Sequence, residues 1–590
     1  MIKAAIMHEA TREYCYCVAP DTFKIRIVTA KDDVKGILLH GRDKYLSLDI
    51  SDTRFSIPMV KIASDDIRDY FEVEVKMNML CLRYYFEITD NHGHKVFFGD
   101  DQLLDYEPTD IEEMFDCPQS IREEGIALFP KWAEGKVVYQ IFPSRFATSK
   151  YVSEEQWYKA PIEWNDKLCG DLWGIINKLD YLKELGVDIV YLTPIFKANT
   201  EHKYDTVDYY QVDPDFGGNE ALKELVEQIH KRGMYIMLDG VFNHTSDKFF
   251  AFEDVLKNGE ESQYKDWYFI DSFPLDRGSK ERKPNYKTFG YYGGMPKLNL
   301  TNKDALEYVK GVICHYLADY GIDGWRLDVA DEIGHKFWKE MRIAAKAIKP
   351  DALIVGEDWH ICADFLEGDE WDSCMNYAWF KALGRLYGGN GPIHEFVSKL
   401  GQVRGRYHSD VFPLLWNLMD SHDTKRFLSY ACEEGGKGKM LSAAALTMLF
   451  PGCPFIYYGD EVGMAGDYDP DNRRGMLWDT EKYADPDMLD AYKRLAAFRH
   501  EHEELWKEIP EVVFIDEVER VMAFKQDKLV MIFNLKENQV DLKALNGHLN
   551  AGINMCDSEG GDGPELIFKL SAEKEKCILG AYDVAVFSLA

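Results

Sequence analysis

Apolar and polar residues follow different patterns along the chain, and the pattern changes twice. Over residues 1–120, short runs such as FKIRIVTA, YFEVEV and LRYYFEI alternate apolar and polar positions and are separated by turn clusters such as TDNHGH. Alternation with a period of two is typical of antiparallel strands with one buried face. This part of the chain therefore predicts an N-terminal β-sandwich.

Between residues 133 and 504, a short apolar run, a loop and a helical stretch repeat along the chain. The runs VVYQIFP, DIVYLTPIF, YIMLDGVF, DGWRLDV, LIVGED, SCMNYAWF, FPLLWNLMD and FIYYGDE predict eight strands. Buried strands that alternate with helices are typical of an α/β fold, and eight of them favour a (β/α)8 TIM barrel. A segment at about 247–298, rich in Tyr, Lys, Asp and Gly, interrupts the repeat and predicts a subdomain inserted after strand 3. Period-two runs return over residues 505–590 and predict a C-terminal all-β domain, a second β-sandwich.

The chain is strongly acidic. Its 590 residues include 102 Asp and Glu against 69 Lys and Arg, which gives a formal net charge of −33. No basic run stands out that could neutralise phosphates, so nucleic acid and anionic membrane surfaces are poor partners. The N-terminal segment lacks the apolar stretch of a signal peptide, and no window approaches the ~20 apolar residues of a membrane span. We therefore expect a cytoplasmic protein without nucleic-acid or membrane partners.

Charged residues lie where four of the apolar runs end. They are Asp239 in YIMLDGVFNH, Asp328 in GWRLDVADE, Glu357 in LIVGEDWH and Asp423 in NLMDSHD. The C-terminal ends of barrel strands meet at one face, which is where the active sites of such barrels lie. The sequence therefore predicts one site built by several strands, in an enzyme that works with carboxylates.

Two of these carboxylates suit different chemical tasks. Arg326 and Asp328 are two residues apart on a strand and so point to the same side. A guanidinium group lowers the pKa of a neighbouring carboxylate and keeps it ionised, which suits a nucleophile. Glu357, with Trp359 close behind it, is the candidate proton donor of a pair such as a retaining glycosidase needs, ~5–5.5 Å apart. A purely structural ion pair between Arg326 and Asp328 is the alternative interpretation.

Histidines add hydrogen-bonding groups at two of the strand ends. His244 follows Asp239 and Asn243, and His422 precedes Asp423. Such side chains can donate to and accept from the paired hydroxyls of a sugar. A lone buried histidine is otherwise a core residue with a hydrogen-bond partner. Their presence at two separate strand ends favours the binding role.

Two other classes of protein remain as alternatives from the residues alone. A metal-dependent barrel enzyme would use Asp239, Asp328 and Glu357 as ligands of a magnesium ion. That interpretation leaves Arg326 unexplained, because a fixed cation between metal ligands opposes the charge of the metal. A non-catalytic relative that keeps the barrel for binding would have lost one of its carboxylates, and this chain has them all.

Seven segments of the chain resemble the α-amylase family of glycoside hydrolases, and within it the neopullulanase, cyclomaltodextrinase and maltogenic amylase group. DGVFNH, GWRLDVADE, VGEDWH and NLMDSHDT are similar, in order, to the four main signature regions of the family. MPKLN at 295–299 resembles the marker segment of the group, and HKYDTVDYY and YYGDEVGMAGDYDPDNRRGMLWD resemble two further segments. The resemblance covers nearly the whole chain.

The resemblance implies a role for each candidate residue. Asp328 would be the nucleophile, Glu357 the general acid and base, and Asp423 the third carboxylate, which binds sugar hydroxyls. The residues expected around the substrate are Tyr204, stacked on the reacting glucose, His244, Arg326 and His422 beside it, Asp469 and Arg473 on the loop after the last strand, and Glu332 on the acceptor side. A packing role for Tyr204 and a solvated loop position for Glu332 remain open.

The resemblance also implies substrates and partners. It predicts hydrolysis of α-1,4 bonds in cyclodextrins, pullulan and maltooligosaccharides, with transglycosylation when an oligosaccharide replaces water. An ordinary starch-degrading α-amylase is the alternative. The N-terminal domain would be of the starch-binding type, and a homodimer is expected by analogy. The loop after the first barrel strand reads ATSKYVSEE, with Lys150 where calcium-binding members have an oxygen ligand. We therefore expect no cofactor, and a calcium site there that is absent or weak.

Overall fold

The computed structural model describes residues 1–46, 54–76, 79, 81–100, 102–117, 129–279, 281–431, 436–507, 509–545, 564–571 and 577–589. Two compact units account for them. The first comprises residues 1–129, 361–370 and 394–412, and the second comprises residues 130–360, 371–393 and 413–590. Among the described residues, every helix is too short or too polar to span a lipid bilayer.

Two antiparallel sheets form most of the first unit. In one sheet the strand order is β1-β2-β6-β5, and in the other it is β4-β3-β7-β8-β9, with β10 beside β7. Every second residue of β2 and β7, including Ile25, Ile27, Phe86 and Ile88, enters a shared apolar core. The predicted N-terminal sandwich is therefore confirmed. Its strands are β1 Cys15–Ala19, β2 Thr22–Ala30, β3 Val34–Asp43, β4 Phe55–Pro58, β5 Val60–Ser64, β6 Arg68–Lys76, β7 Leu82–Asp90, β8 Lys95–Gly99, β9 Gln102–Leu104 and β10 Phe115–Asp116.

A buried arginine joins a mid-chain segment to this sandwich. Arg26 lies on β2, is almost completely buried, and forms an ion pair of 2.5 Å with Glu72. Its remaining N–H groups donate to the carbonyl oxygens of Gly405 and Tyr407 at 2.8 and 3.2 Å. Burial of this charge is tolerated because its donors are satisfied. The predicted domain bounds do not anticipate this packing, and they stay a prediction.

Eight parallel strands of the second unit form a barrel. The strand order is β18-β17-β16-β15-β12-β11-β20-β19, and a parallel bridge between Met375 and Trp416 joins the two edges. Each of the eight predicted strands is present. These strands are continuous apolar runs because both faces of a parallel sheet are covered. The strands of this region are β11 Val138–Ile141, β12 Ile189–Leu192, β13 Phe196–Ala198, β14 Thr206–Val212, β15 Tyr235–Gly240, β16 Gly324–Leu327, β17 Leu353–Gly356, β18 Ser373–Cys374, β19 Trp416–Leu418 and β20 Cys453–Tyr457, of which β13 and β14 form an antiparallel pair outside the barrel.

Helices follow most of the barrel strands. The helix Gly218–Lys231 shows why they form: Ala221, Leu222, Leu225, Val226 and Ile229 are buried and recur at helical spacing, so one face packs inward. The helices are α1 Pro143–Phe146, α2 Glu154–Trp157, α3 Leu172–Ile176, α4 Leu179–Leu185, α5 Gly218–Lys231, α6 Phe250–Asn258, α7 Lys303–His315, α8 His335–Ile348, α9 Tyr377–Gly388, α10 Ile393–Arg406, α11 Phe427–Tyr430, α12 Gly436–Met448, α13 Pro486–Glu501 and α14 Glu504–Lys507.

The segment predicted as an insertion lies between β15 and β16. It contains α6 and isolated bridges such as Tyr268 to Leu298 and Ile270 to Tyr286. The C-terminal strands form a sheet of order β21-β22-β23-β27-β25 and a pair β24-β26, around a core that includes Val521, Ile532 and Phe587. These strands are β21 Glu511–Asp516, β22 Val521–Gln526, β23 Leu529–Asn534, β24 Val540–Asp541, β25 Glu565–Lys569, β26 Ile578–Leu579 and β27 Val584–Ser588.

Candidate active site

Strand register brings the predicted acids together. In the β16–β17 pair Leu327 lies opposite Gly356, so Asp328 and Glu357, the next residues, leave the sheet side by side. In the β15–β16 pair Asp239 lies opposite Arg326. Gly356 permits this arrangement because a Cβ atom there would meet the ring of Trp371 at 2.2 Å.

One guanidinium group binds three of the carboxylates. Arg326 is fully buried, and its Nη1 lies 3.0 Å from Asp239 and from Asp328. Its Nη2 lies 2.7 Å from Oε2 of Glu357. Charge-assisted contacts of this kind fix both partners in orientation. Arg326 thus supplies the positive charge at the centre of three acids.

The backbone of Val329 also binds Glu357. Val329 has φ 46° and ψ 47°, a left-handed conformation that is rare for a β-branched residue. Its N–H donates to Oε2 of Glu357 at 3.1 Å, and Trp359 Nε1 donates to Oε1 at 3.2 Å. Strain of this kind costs about 1–3 kcal/mol and persists where the surroundings impose it. This contact could not be predicted from the sequence, because a backbone donor leaves no signature in residue type.

His422, Tyr204 and Asp423 form a second connected group. Gln140 Nε2 donates to Nδ1 of His422 at 2.8 Å, so the proton of this ring is on Nε2, which lies 3.2 Å from Asp423. The Tyr204 hydroxyl contacts the same Nε2 and donates to Asp239 at 3.1 Å. The rings of Tyr204 and His422 are parallel, with centroids 5.4 Å apart. Burial lowers the pKa of His422 well below its ordinary value, so the ring is neutral.

The imidazole ring of His244 lines the cavity and packs against an apolar ring. It is almost completely buried and stacks on Phe289, with centroids 4.9 Å apart and planes at 20°. Burial lowers the pKa of His244 to about 3, so this ring is neutral as well.

Loop residues complete the wall on two sides. Arg473 donates to the His422 carbonyl at 2.9 Å and lies 3.4 Å from the carboxylates of both Asp423 and Asp469. Glu332 forms an ion pair with Lys297 at 2.8 Å and accepts from Asn243 at 3.1 Å. Glu332 is therefore held by two side chains and is more than a solvated loop acid.

A cavity of about 590 Å³ opens over these groups. Of the sequence-predicted residues, Asp328, Glu357, Asp423, Tyr204, His244, Glu332, Asp469 and Arg473 line it. Arg326 and His422 lie behind the lining and contact it through Asp328, Glu357, Tyr204 and Asp423. The structure thus brings all ten candidates to one place.

Burial and mutual repulsion control the ionisation of the acids. Burial raises the pKa of Asp328 well above its ordinary value, and Arg326 opposes this shift. Burial also raises the pKa of Asp423 to about 7, with Glu357 adding to the shift and Arg473 opposing it. Arg326 lowers the pKa of Asp328, as expected from the sequence, but loss of solvation and three neighbouring acids raise it further, so the net shift is upward.

Comparison with known proteins decides the family. Residues 140–499 match the catalytic domain of α-amylase, and residues 1–120 match the N-terminal Ig-like domain of α-amylase. The chain belongs to the α-amylase family. It is an enzyme of the glycoside hydrolase class that this family represents.

Relatives within the α-amylase family match over most of the chain. Neopullulanase 2 of Thermoactinomyces vulgaris is 41% identical over 509 residues, which is 85% of this chain and 85% of that protein. A cyclomaltodextrinase of Geobacillus thermopakistaniensis is 39% identical over 552 residues, 91% of this chain and 92% of its own. A solved cyclomaltodextrinase structure covers 100% of both chains with a TM-score of 0.89 and 33% identity.

In this α-amylase family chain, side chains of the loop after the first barrel strand bind neighbouring carbonyl and carboxylate groups. Thr148 Oγ1 donates to the Cys169 carbonyl and Ser149 Oγ to Asp171, both at 2.7 Å. Lys150 Nζ donates to the Asp215 carbonyl at 3.0 Å and lies 3.9 Å from Asp171. An ammonium group therefore supplies positive charge beside Asp171. Independence from calcium stays a prediction.

Several lining residues were not found from the sequence. Trp164, His202, Phe289 and Trp359 give the cavity aromatic walls, yet each comes from a different loop. Lys297 stands inside the segment MPKLN and could have been paired with Glu332 from that resemblance. His202 and Trp359 likewise lie inside the segments HKYDTVDYY and VGEDWH, whereas Trp164 and Phe289 carry no signal besides their aromatic character. The remaining lining residues are Met295, Val329, Asp331 and His360.

Proposed function

We propose that this protein is a retaining α-glucan hydrolase that cleaves α-1,4 bonds in cyclodextrins, pullulan and maltooligosaccharides. One observation carries the proposal: Arg326 holds Asp239, Asp328 and Glu357 together beneath a cavity that Asp423 also lines. The names of relatives, neopullulanase and cyclomaltodextrinase, support this substrate class.

The proposed reaction has two steps. Asp328 attacks the anomeric carbon while Glu357 gives its proton to the glycosidic oxygen, so the C–O bond breaks and a covalent glycosyl ester forms. Glu357, now a carboxylate, takes a proton from water, and this water displaces Asp328. Two inversions leave the anomeric configuration retained. An oligosaccharide hydroxyl in place of water gives transglycosylation.

The remaining residues position the sugar. Asp423 accepts hydrogen bonds from hydroxyls of the distorted ring, and neutral His244 donates to others. His422 lies behind them and positions Tyr204 and Asp423. Tyr204 offers an aromatic face to the apolar side of the sugar. Arg473 and Asp469 bind the sugar from the last barrel loop, and Glu332 borders the acceptor.

The direct test compares three substrates. Initial rates and product lengths are measured for β-cyclodextrin, pullulan and soluble starch, and the anomer released first is identified by proton NMR. We expect the α-anomer, and rates on β-cyclodextrin and pullulan at least equal to the rate on starch. An Asp328→Asn preparation serves as the control for contaminating amylases. A starch rate far above the other two supports an ordinary α-amylase instead, and initial release of the β-anomer contradicts retention.

We also propose a cytoplasmic homodimer. A relative from Bacillus subtilis, 37% identical over 580 residues and covering 94% of this chain, is named intracellular maltogenic amylase. Dimerisation rests on the resemblance to the neopullulanase group. Light scattering after size exclusion tests it: the expected mass is twice the 68.2 kDa of the chain, and a single mass of one chain contradicts it.

A further inference from the structure

A row of four aromatic rings leads from the catalytic carboxylates to the rim of the cavity. Tyr204 lies parallel to His422, and His202 follows at 5.9 Å from Tyr204 with an interplanar angle of 30°. Trp164 meets His202 edge to face at 6.5 Å. His422 is fully buried, Tyr204 and His202 are partly exposed, and Trp164 is 55% exposed. The row ends in a large indole on the cavity wall.

The ring of Trp164 contacts His202 and Arg473. In the proposed reaction the leaving sugar takes its proton from Glu357, and Trp359 donates to Oε1 of that residue. Trp164 instead has the guanidinium carbon of Arg473 over its ring at 5.9 Å. Arg473 in turn binds Asp423 and Asp469. The indole therefore borders the part of the cavity that receives the donor side of the chain.

The surroundings suit a neutral sugar. Burial, Arg473 and Lys203 lower the pKa of His202 to about 4, so its ring carries no charge near neutral pH. The Tyr204 N–H donates to Nδ1 of His202 at 3.1 Å, which leaves the proton on Nε2. The guanidinium group of Arg473 lies near the indole, and the apolar face of the indole matches the C–H face of a glucose ring.

We propose that Trp164 is the platform for the second glucose unit on the donor side of the scissile bond. The protein then prefers maltosyl over glucosyl donors. This inference rests on the proposed function and adds the residue that selects donor length.

The test uses two chromogenic glycosides that differ by one donor glucose, p-nitrophenyl α-maltoside and p-nitrophenyl α-glucoside. Trp164→Ala should lower kcat/KM on the maltoside about tenfold, mainly through KM, and change the glucoside less than about twofold. Trp164→Phe, which keeps an aromatic face, should recover most of the loss. Tyr151→Ala is the matched control, because Tyr151 is 95% exposed and is not a lining residue of this cavity.

Equal losses on both glycosides, or no loss on the maltoside, would overturn the donor-side role. Calorimetric titration with maltose needs no turnover and separates the two proposals. If the unmodified protein hydrolyses neither these glycosides nor β-cyclodextrin and pullulan, the proposed function fails. A weaker maltose affinity in Trp164→Ala would then still support the platform, and an unchanged affinity would reject it.

Discussion

Two arginine-centred groups of carboxylates lie at the C-terminal ends of the barrel strands, and only one borders the cavity. Arg326 is surrounded by Asp239, Asp328 and Glu357. Arg426 is equally buried and lies 3.0 Å from Asp460, with Asp420 close to both. We call these the Arg326 cluster and the Arg426 cluster.

Protein groups enclose the Arg426 cluster. Arg426 donates to the carbonyl oxygens of Asn472 and Tyr458 at 2.9 and 2.8 Å and lies 4.1 Å over the ring of Tyr457. The neighbouring Glu461 accepts from two tyrosine hydroxyls at 2.7 Å each. Its acids are not among the lining residues of the active-site cavity.

Composition and ionisation alone therefore do not identify the active site. Burial raises the pKa of Asp460 well above its ordinary value, as it does for Asp328. Both clusters thus hold an arginine and perturbed acids. What separates them is access: Asp328 and Glu357 have a face toward the cavity, whereas the Arg426 cluster is closed by tyrosines and backbone carbonyls.

The largest expected effect is loss of catalysis in the Arg326 cluster. Asp328→Asn should lower kcat on β-cyclodextrin by about 10⁴-fold or more, because the amide cannot form the glycosyl ester. The fold should persist, since the substitution removes a buried charge without changing shape. Initial rates and thermal unfolding measure the two effects. Normal turnover by this variant would reject the assignment of Asp328.

The Arg426 cluster should respond in the opposite way. Arg426→Met leaves buried acids without their cation and should cost about 3–5 kcal/mol of unfolding free energy, measured by urea denaturation. The folded fraction should keep its kcat/KM. Lys231→Met, which removes an exposed ion pair with Glu227, is the control and should leave stability unchanged. A stable but inactive Arg426→Met protein would contradict the structural role assigned to the Arg426 cluster.

Asp423 gives the Arg326 cluster a pH dependence. Its pKa is about 7 in the folded protein against an ordinary value of 3.8, so the folded state holds the proton more tightly. The associated stabilisation is complete below the unfolded pKa and is lost as pH rises through about 7. Asp423→Asn should remove this dependence.

The same variant should also change the pH profile of catalysis. Asp423 raises the pKa of Asp328, so Asp423→Asn should shift the acid limb of kcat/KM to lower pH. Unfolding curves and rate profiles between pH ~5 and ~8 test both statements. A shift of the acid limb to higher pH would contradict the coupling.

The smallest expected effect is that of metal removal. Arginines compensate the acids of both clusters, and Lys150 lies beside Asp171 in the first barrel loop. EDTA should therefore leave both activity and the unfolding temperature unchanged. Addition of calcium after EDTA is the control. Strong inactivation that calcium reverses would show that the loop binds an ion after all.

The sequence locates a functional residue most reliably where that residue directly follows a barrel strand. Asp328 and Glu357 come one residue after paired strands, so strand ends alone locate them. The apolar run FPLLWNLMD, in contrast, ends at Asp420 rather than Asp423. Asp420 turns inward, where it accepts from the Phe427 N–H, and Asp423 lines the cavity. The pattern placed Asp423 at the end of this run without excluding Asp420, and the family resemblance supports Asp423.

Contacts between distant loops lie beyond sequence patterns. The eight barrel strands and the sandwich can be predicted from periodicity, because the apolar positions within each strand indicate which of its residues are buried. Trp164 and Phe289 become site residues only when separate loops meet over the carboxylates. Likewise, Arg26 binds backbone carbonyls of residues 405 and 407, which any residue type would supply.

The left-handed backbone at Val329 limits how this enzyme can be made more heat-resistant. Selection for stability alone favours glycine there, which relieves the strained φ. The same change would free the peptide whose N–H orients Glu357. A substitution at this residue that increases thermal stability would impair proton transfer by Glu357. Stabilising substitutions therefore have to be made at positions remote from Val329.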